Sequence, residues 1–108
     1  MLEPQPIFKH FQFVQEIAFK NKDSRRSDLG IERFGFVISS HVIHRNYYEH
    51  QICFASSDDS DANIEYSLRP LSESEIWDRL SYIKENPTQF QDFIQKLNNQ
   101  PELKNYHI

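Results

Sequence analysis

Apolar and polar residues alternate at strand period along one stretch, Arg33 to Leu68, and over no comparable length elsewhere. It reads RFGFVISSHVI, then YYEHQICFAS, then ANIEYSL, separated by short polar breaks. Phe34, Phe36 and Ile38, or Ile64, Tyr66 and Leu68, fall at every second position, which suits a pleated surface with one buried face. The stretch predicts three antiparallel strands.

Helical spacing flanks it on both sides. In IFKHFQFVQEIAFKNK, Ile7, Phe11, Val14 and Ala18 form a stripe bordered by Phe8 and Ile17, and Pro6 suits a first-turn position. A helix is expected there, with Phe13 lateral, although HFQFVQ also reads as the start of a strand. After the strands, Ser72 and Glu75 form a capping box, and Leu71 with Ile76 a hydrophobic staple. Ile76, Leu80 and Ile83 continue the buried stripe, Trp77 borders it, and Asn86-Pro87 ends the helix. Asn86 caps a second helix that buries Phe90, Phe93, Ile94 and Leu97. The expected fold is α+β: a single domain over 1–108, ordered helix-strand-strand-strand-helix-helix. Its three-stranded antiparallel sheet carries packed helices, and residues 1–5 and 101–108 form frayed ends.

Composition narrows the chemistry. The chain has 108 residues and fifteen aromatics, nine Phe, five Tyr and one Trp, enough to fill one core without a staple. It has two glycines, Gly30 and Gly35, so neither a Walker loop nor a dinucleotide fingerprint can be built. The single cysteine, Cys53, forms no internal disulfide, and MLEPQPIFKHF lacks the pattern of a secretory leader. A soluble, cytoplasmic protein is expected, with no membrane span and no cofactor. Charge is −4, with two basic and five acidic groups over residues 34–71 and four and six over 72–108. That balance disfavours a nucleic-acid footprint.

The one chemically suggestive cluster is His41, His44, His50 and Cys53, residue types that zinc prefers. A hairpin with Arg45, Asn46 and Tyr47 as its loop puts His44 opposite Tyr48, Val42 opposite His50 and Ile38 opposite Phe54. It gathers Phe36, Ile38, Val42, Ile52 and Phe54 on one face. In that register His44 and His50 share one face, while His41 and Cys53 share the other. Such a set cannot close a tetrahedron, so metal binding is an alternative only if the hairpin fails. Cys53 with His41 would share a face, but no orienting group or oxyanion hole is recognisable. No catalytic residue is assigned, and the protein is expected not to be an enzyme.

SSDDSDAN is the most acidic stretch. Asp59, Asp61 and Asn63 imitate the opening of a calcium loop, but Ile64 stands where glycine is needed and Pro70 where a bidentate Glu is needed. The stretch reads instead as a solvated loop or as an acidic contact for a basic partner. With Tyr47, Tyr48 and Glu49 beside it, Asp58, Asp59 and Asp61 make the predicted partner-binding patch.

Two nucleic-acid readings compete. Helix-strand-strand-strand-helix over residues 6–86 is the element order of double-stranded RNA-binding domains, but Glu73, Glu75 and Asp78 occupy the place of that family's basic cluster. The last two helices could form a helix-turn-helix presenting Gln89, Gln91 and Gln95, with only Lys96 for electrostatic grip. The favoured reading is a small acidic protein–protein interaction module. More specifically, it is a stoichiometric inhibitor or immunity protein whose target acts on nucleic acid and is therefore basic. Self-association through the edge of the first strand is a further option, because no proline guards it.

Overall fold

The computed structural model describes residues 8–19, 26–44, 47–56, 62–64 and 68–108. It is a mixed α+β fold with an antiparallel sheet and helices. The strands are β1 (Phe13–Phe19), β2 (Arg26–Asp28), β3 (Phe34–His44), β4 (Tyr47–Phe54), β5 (Ala62–Ile64) and β6 (Leu68–Pro70). Two helices follow, α1 (Glu73–Glu85) and α2 (Gln91–Asn98), and then a 3-10 segment, Pro101–Tyr106. Among the described residues the sheet has six strands, in the order β2-β1-β3-β4-β5 with β6 also on β1. β1 holds three partners because it has two edges: β3 lies along one, on Phe13–Gln15, while β6, on Val14–Glu16, and β2, on Ile17–Phe19, follow one another along the other.

The expected first helix is therefore a strand. Phe13 packs on the helix side with Phe34 and Phe36, while Val14 joins Val37, Ile52, Phe54, Leu68 and Phe8 on the opposite face. A strand buried on both faces is apolar at both parities, which erases the period-two signature and leaves pairs that imitate a helical stripe. Phe13, expected to be lateral, is core. The expected third strand is two strands: β5 pairs with β4, whereas β6 pairs with β1. Residues 65–67, with Tyr66, lie outside the described residues.

The hairpin register also differs from expectation. Phe36 stands opposite Cys53 and Val37 opposite Ile52; an irregularity at Ile38 then sets Ser39 opposite Gln51, Ser40 opposite His50, His41 opposite Glu49 and Val42 opposite Tyr48. His44 meets Tyr47, leaving a two-residue connection. The single-buried-face rule that selected the other register does not apply where both faces are covered, and a bulge advances one strand by one residue. Gly35 is required at its place, because an added Cβ would lie 2.0 Å from the Cys53 carbonyl oxygen.

α1 forms where its caps dictate. The Glu75 N–H donates to Ser72 Oγ and the Ser72 N–H to Glu75 Oε1. Ile76, Leu80 and Ile83 are buried against Phe13, Phe34, Phe36 and Cys53, together with Phe90, Phe93 and Leu97. The C-terminal segment adds Leu103 to this cluster, and the Ile108 backbone pairs with the Asn98 amide through two hydrogen bonds of 2.9 and 3.0 Å.

Candidate interaction surface

The expected partner patch divides. Asp58, Asp59 and Asp61 lie outside the described residues. Tyr47 opens β4, half-buried Tyr48 stacks on His50 with ring centroids 6.4 Å apart, and Glu49 pairs with His41 at 3.5 Å. Glu49 thus reaches across the hairpin to β3, whereas the Tyr48–His50 stack lies within β4.

The His/Cys set does not converge. His50 is fully buried, its Nδ1 2.7 Å from the Ser40 hydroxyl and its ring edge-on to Phe8. Cys53 is buried opposite Phe36 on the helix side, and burial pushes its thiol up, away from the thiolate a ligand or nucleophile needs. His41 shares that face, but its position opposite Glu49 lies roughly 13 Å of strand from Cys53. His44 ends β3 opposite Tyr47. Among the described residues no three His, Cys, Asp or Glu side chains are grouped to hold a metal ion.

The densest polar cluster ties α1 to the sheet. Arg69 of β6 donates to both Asp28 oxygens at 2.8 and 2.7 Å and to Glu75 Oε2 at 2.8 Å. Arg79 of α1 donates to the buried Gln15 Oε1 at 2.9 Å, to Asp28 Oδ2 at 3.1 Å and to the Glu75 carbonyl at 3.2 Å. The Arg69 hydrogen bond, with the Ser72 N–H behind it, pulls the Glu75 carboxyl down to about 2. The Arg69 hydrogen bond likewise lowers Asp28. Both guanidinium groups face carboxylates of the fold itself, so the cluster is a clamp and not a phosphate site.

The outer face of α1 differs in kind. Trp77 and Tyr82 are 45% and 46% exposed and lie on the two flanks of the buried stripe, about 140° apart around the helix axis. Each ring is braced from beneath: Trp77 lies 5.4 Å from Tyr106, and Tyr82 meets Phe90 edge-on at 6.0 Å. Tyr106 is itself fixed, edge-on to Phe13 at 5.0 Å and with its hydroxyl donating to Glu73, a bond that raises the phenol's pKa. A cleft of about 170 Å³ runs beside Trp77 between Leu80, Ser81 and Lys84 of α1 and His107 and Ile108. Exposed Glu73, Asp78 and Glu85 make the surroundings predominantly acidic.

The sequence pattern places Trp77 only at the border of the buried stripe and assigns no role to Tyr82. The available signal is their position: a helical wheel anchored on Ile76, Leu80 and Ile83 leaves Trp77 on one flank of the stripe and Tyr82 on the other. No helix among the described residues is long and apolar enough to cross a membrane. No family model matches this chain, and comparison with curated proteins and with solved structures finds nothing similar to it.

Proposed function

We propose that this protein is a small, acidic, non-enzymatic interaction module of the cytoplasm that binds a protein partner through the outer face of α1. The observation that carries this reading is the pair of half-exposed aromatics, Trp77 and Tyr82, on one helix. Such rings are the commonest energetic anchors of protein interfaces. Bracing by Tyr106 and Phe90 means that little side-chain entropy remains to be lost on binding. Glu73, Asp78 and Glu85 around them, and the net charge of −4, favour a basic target. The specific form of the proposal is a stoichiometric inhibitor or immunity protein that covers the basic active site of an enzyme or toxin acting on nucleic acid.

Native mass spectrometry of the protein purified from its own source would identify the partner. Titration calorimetry would then compare the wild type with Trp77→Ala and Tyr82→Ala. Each substitution is expected to weaken binding roughly 30-fold, corresponding to about 2 kcal/mol. Undiminished affinity in the double variant would remove α1 as the contact. Neutralising Asp58, Asp59 and Asp61 together would then test the acidic loop through affinity and its salt dependence.

A further inference from the structure

β3 changes its surroundings halfway along. As far as Val37 its outer edge, the one away from β4, is occupied. Phe34, Gly35 and Phe36 pair with β1, the Val37 N–H donates to the Gln12 carbonyl at 3.0 Å, and the Val37 carbonyl accepts from the Phe11 N–H at 2.8 Å. There the described pairing on that edge ends. Phe11 has φ 66, the one non-glycine residue with positive φ among those described, and no described residue before it pairs with β3. Beyond Val37, β4 is the only described strand paired with β3.

Ladder alternation fixes which groups face the edge that no described strand occupies beyond Val37. Ala55 bonds back to Phe34, so alternate β4 residues, Cys53, Gln51 and Glu49, face β3 with their hydrogen-bonding groups. Ser39 and His41 answer Gln51 and Glu49, which turns the N–H and C=O of Ser40 and Val42 outward. Natural edges are guarded by lysine, proline or inward charge. Ile38 to Ile43 reads ISSHVI, with neither lysine nor proline, and the irregularities at its two ends leave the stretch between them free of a bulge; Ile38 and Val42 are 38% and 49% exposed.

We propose that this edge pairs with the same edge of a second copy, antiparallel about His41. Ser40 of each chain then faces Val42 of the other, and one sheet runs through both. The occupant follows from the register. Outward groups two residues apart are matched completely by a two-fold axis through the residue between them, each Ser40–Val42 pair exchanging N–H and C=O in both directions. Irregularities at Ile38 and between Val42 and His44 bound the open stretch. A copy with the same interruptions fits that length, whereas a long foreign strand would run into them.

This contact uses backbone groups of β3 and is independent of the α1 face. The two sites respond oppositely to salt. Copies each carrying −4 repel, so salt strengthens the dimer, while it weakens an acidic face on a basic partner. Sedimentation of the full chain over a concentration series is expected to show a reversible dimer that tightens as sodium chloride is raised. Val42→Pro, which deletes the outward N–H, should weaken it about tenfold or more. Because proline could disturb β3 itself, amide exchange of the wild type supplies a second readout: Ser40 and Val42 should exchange slowly only at concentrations where the dimer forms. A monomer at every concentration and salt overturns the proposal. So does a dimer in which the Ser40 and Val42 amides exchange as fast as in the monomer.

Discussion

The two halves of the β3–β4 hairpin share one ladder but live in different media. From Phe34 to Val37, and from Ile52 to Phe54, every side chain is buried, those of Phe34, Phe36 and Cys53 under the helices and those of Val37, Ile52 and Phe54 on the other face. From Ile38 outward β3 has an exposed apolar residue at Ile38 and another at Val42, with polar side chains between them, and the buried member of this half is His50 of β4. The boundary is a single bulged position, Ile38. A one-residue insertion thus separates the part of the hairpin that specifies the fold from the part free to contact something else.

The most severe way to break the comparison is in the buried half. Gly35→Ala would drive a methyl into the Cys53 carbonyl, and backbone on both sides cannot yield as a side chain tip would. Phe36→Ala would empty a fully enclosed site between the sheet, Phe13 and Phe93, at a cost of about 3–5 kcal/mol. Urea denaturation is expected to show little or no folded Gly35→Ala protein and a strongly lowered midpoint for Phe36→Ala. Near-wild-type midpoints would contradict the two-sided burial of β3. Gly30→Ala is the contrasting case: it meets open space, and its cost comes only from a φ of 106.

A cap deletion comes next. Ser72→Ala removes the acceptor for the Glu75 N–H and should cost about 1 kcal/mol, read as a modest shift in the same denaturation curves.

Arg69→Met tests the clamp between α1 and the sheet through pH. Glu75 and Asp28 have folded-state pKa values below their ordinary ones, so their contribution is complete above the unfolded values, near 4. It declines as pH falls toward the Glu75 value of about 2. Carbon-detected NMR titration should find Glu75 near 2 in the wild type and moved up toward the ordinary carboxylate range in the variant. Acid unfolding should become less steep across that window. An unmoved Glu75 would place its stabilisation in the cap alone.

The smallest effect belongs to the outer half. Val42→Ala should change monomer stability by no more than about 0.5 kcal/mol, as thermal unfolding at low concentration would show. A larger loss would mean that the outer hairpin belongs to the core.

Local rules were legible where local physics decides. The capping box at Ser72 and Glu75, the staple, the stripe of Ile76, Leu80 and Ile83, and the stop at Asn86-Pro87 all form as the sequence predicts, because each joins residues within one or two turns. Alternation in β3 and β4 was legible for the same reason. The register between them was not, since a bulge at Ile38 leaves no mark on a pattern that is apolar on both sides. The α1 surface was half visible: the stripe that buries Ile76 leaves Trp77 and Tyr82 on its two flanks, but only packing supplied Tyr106 and Phe90 beneath them.

The sequence by itself determined an α+β class, the hairpin strands, the two C-terminal helices and the lack of nucleotide-binding glycines. Tertiary structure decided that IFKHFQFVQEIAF contributes a strand and not a helix, that ANIEYSL is divided between β5 and β6, and that Leu103 completes the helix-side core. The physical reason is shared. A residue's period reports burial only when one face is buried, and β1 acquires its second buried face from Leu68, Val37 and Phe54, residues far away in the chain.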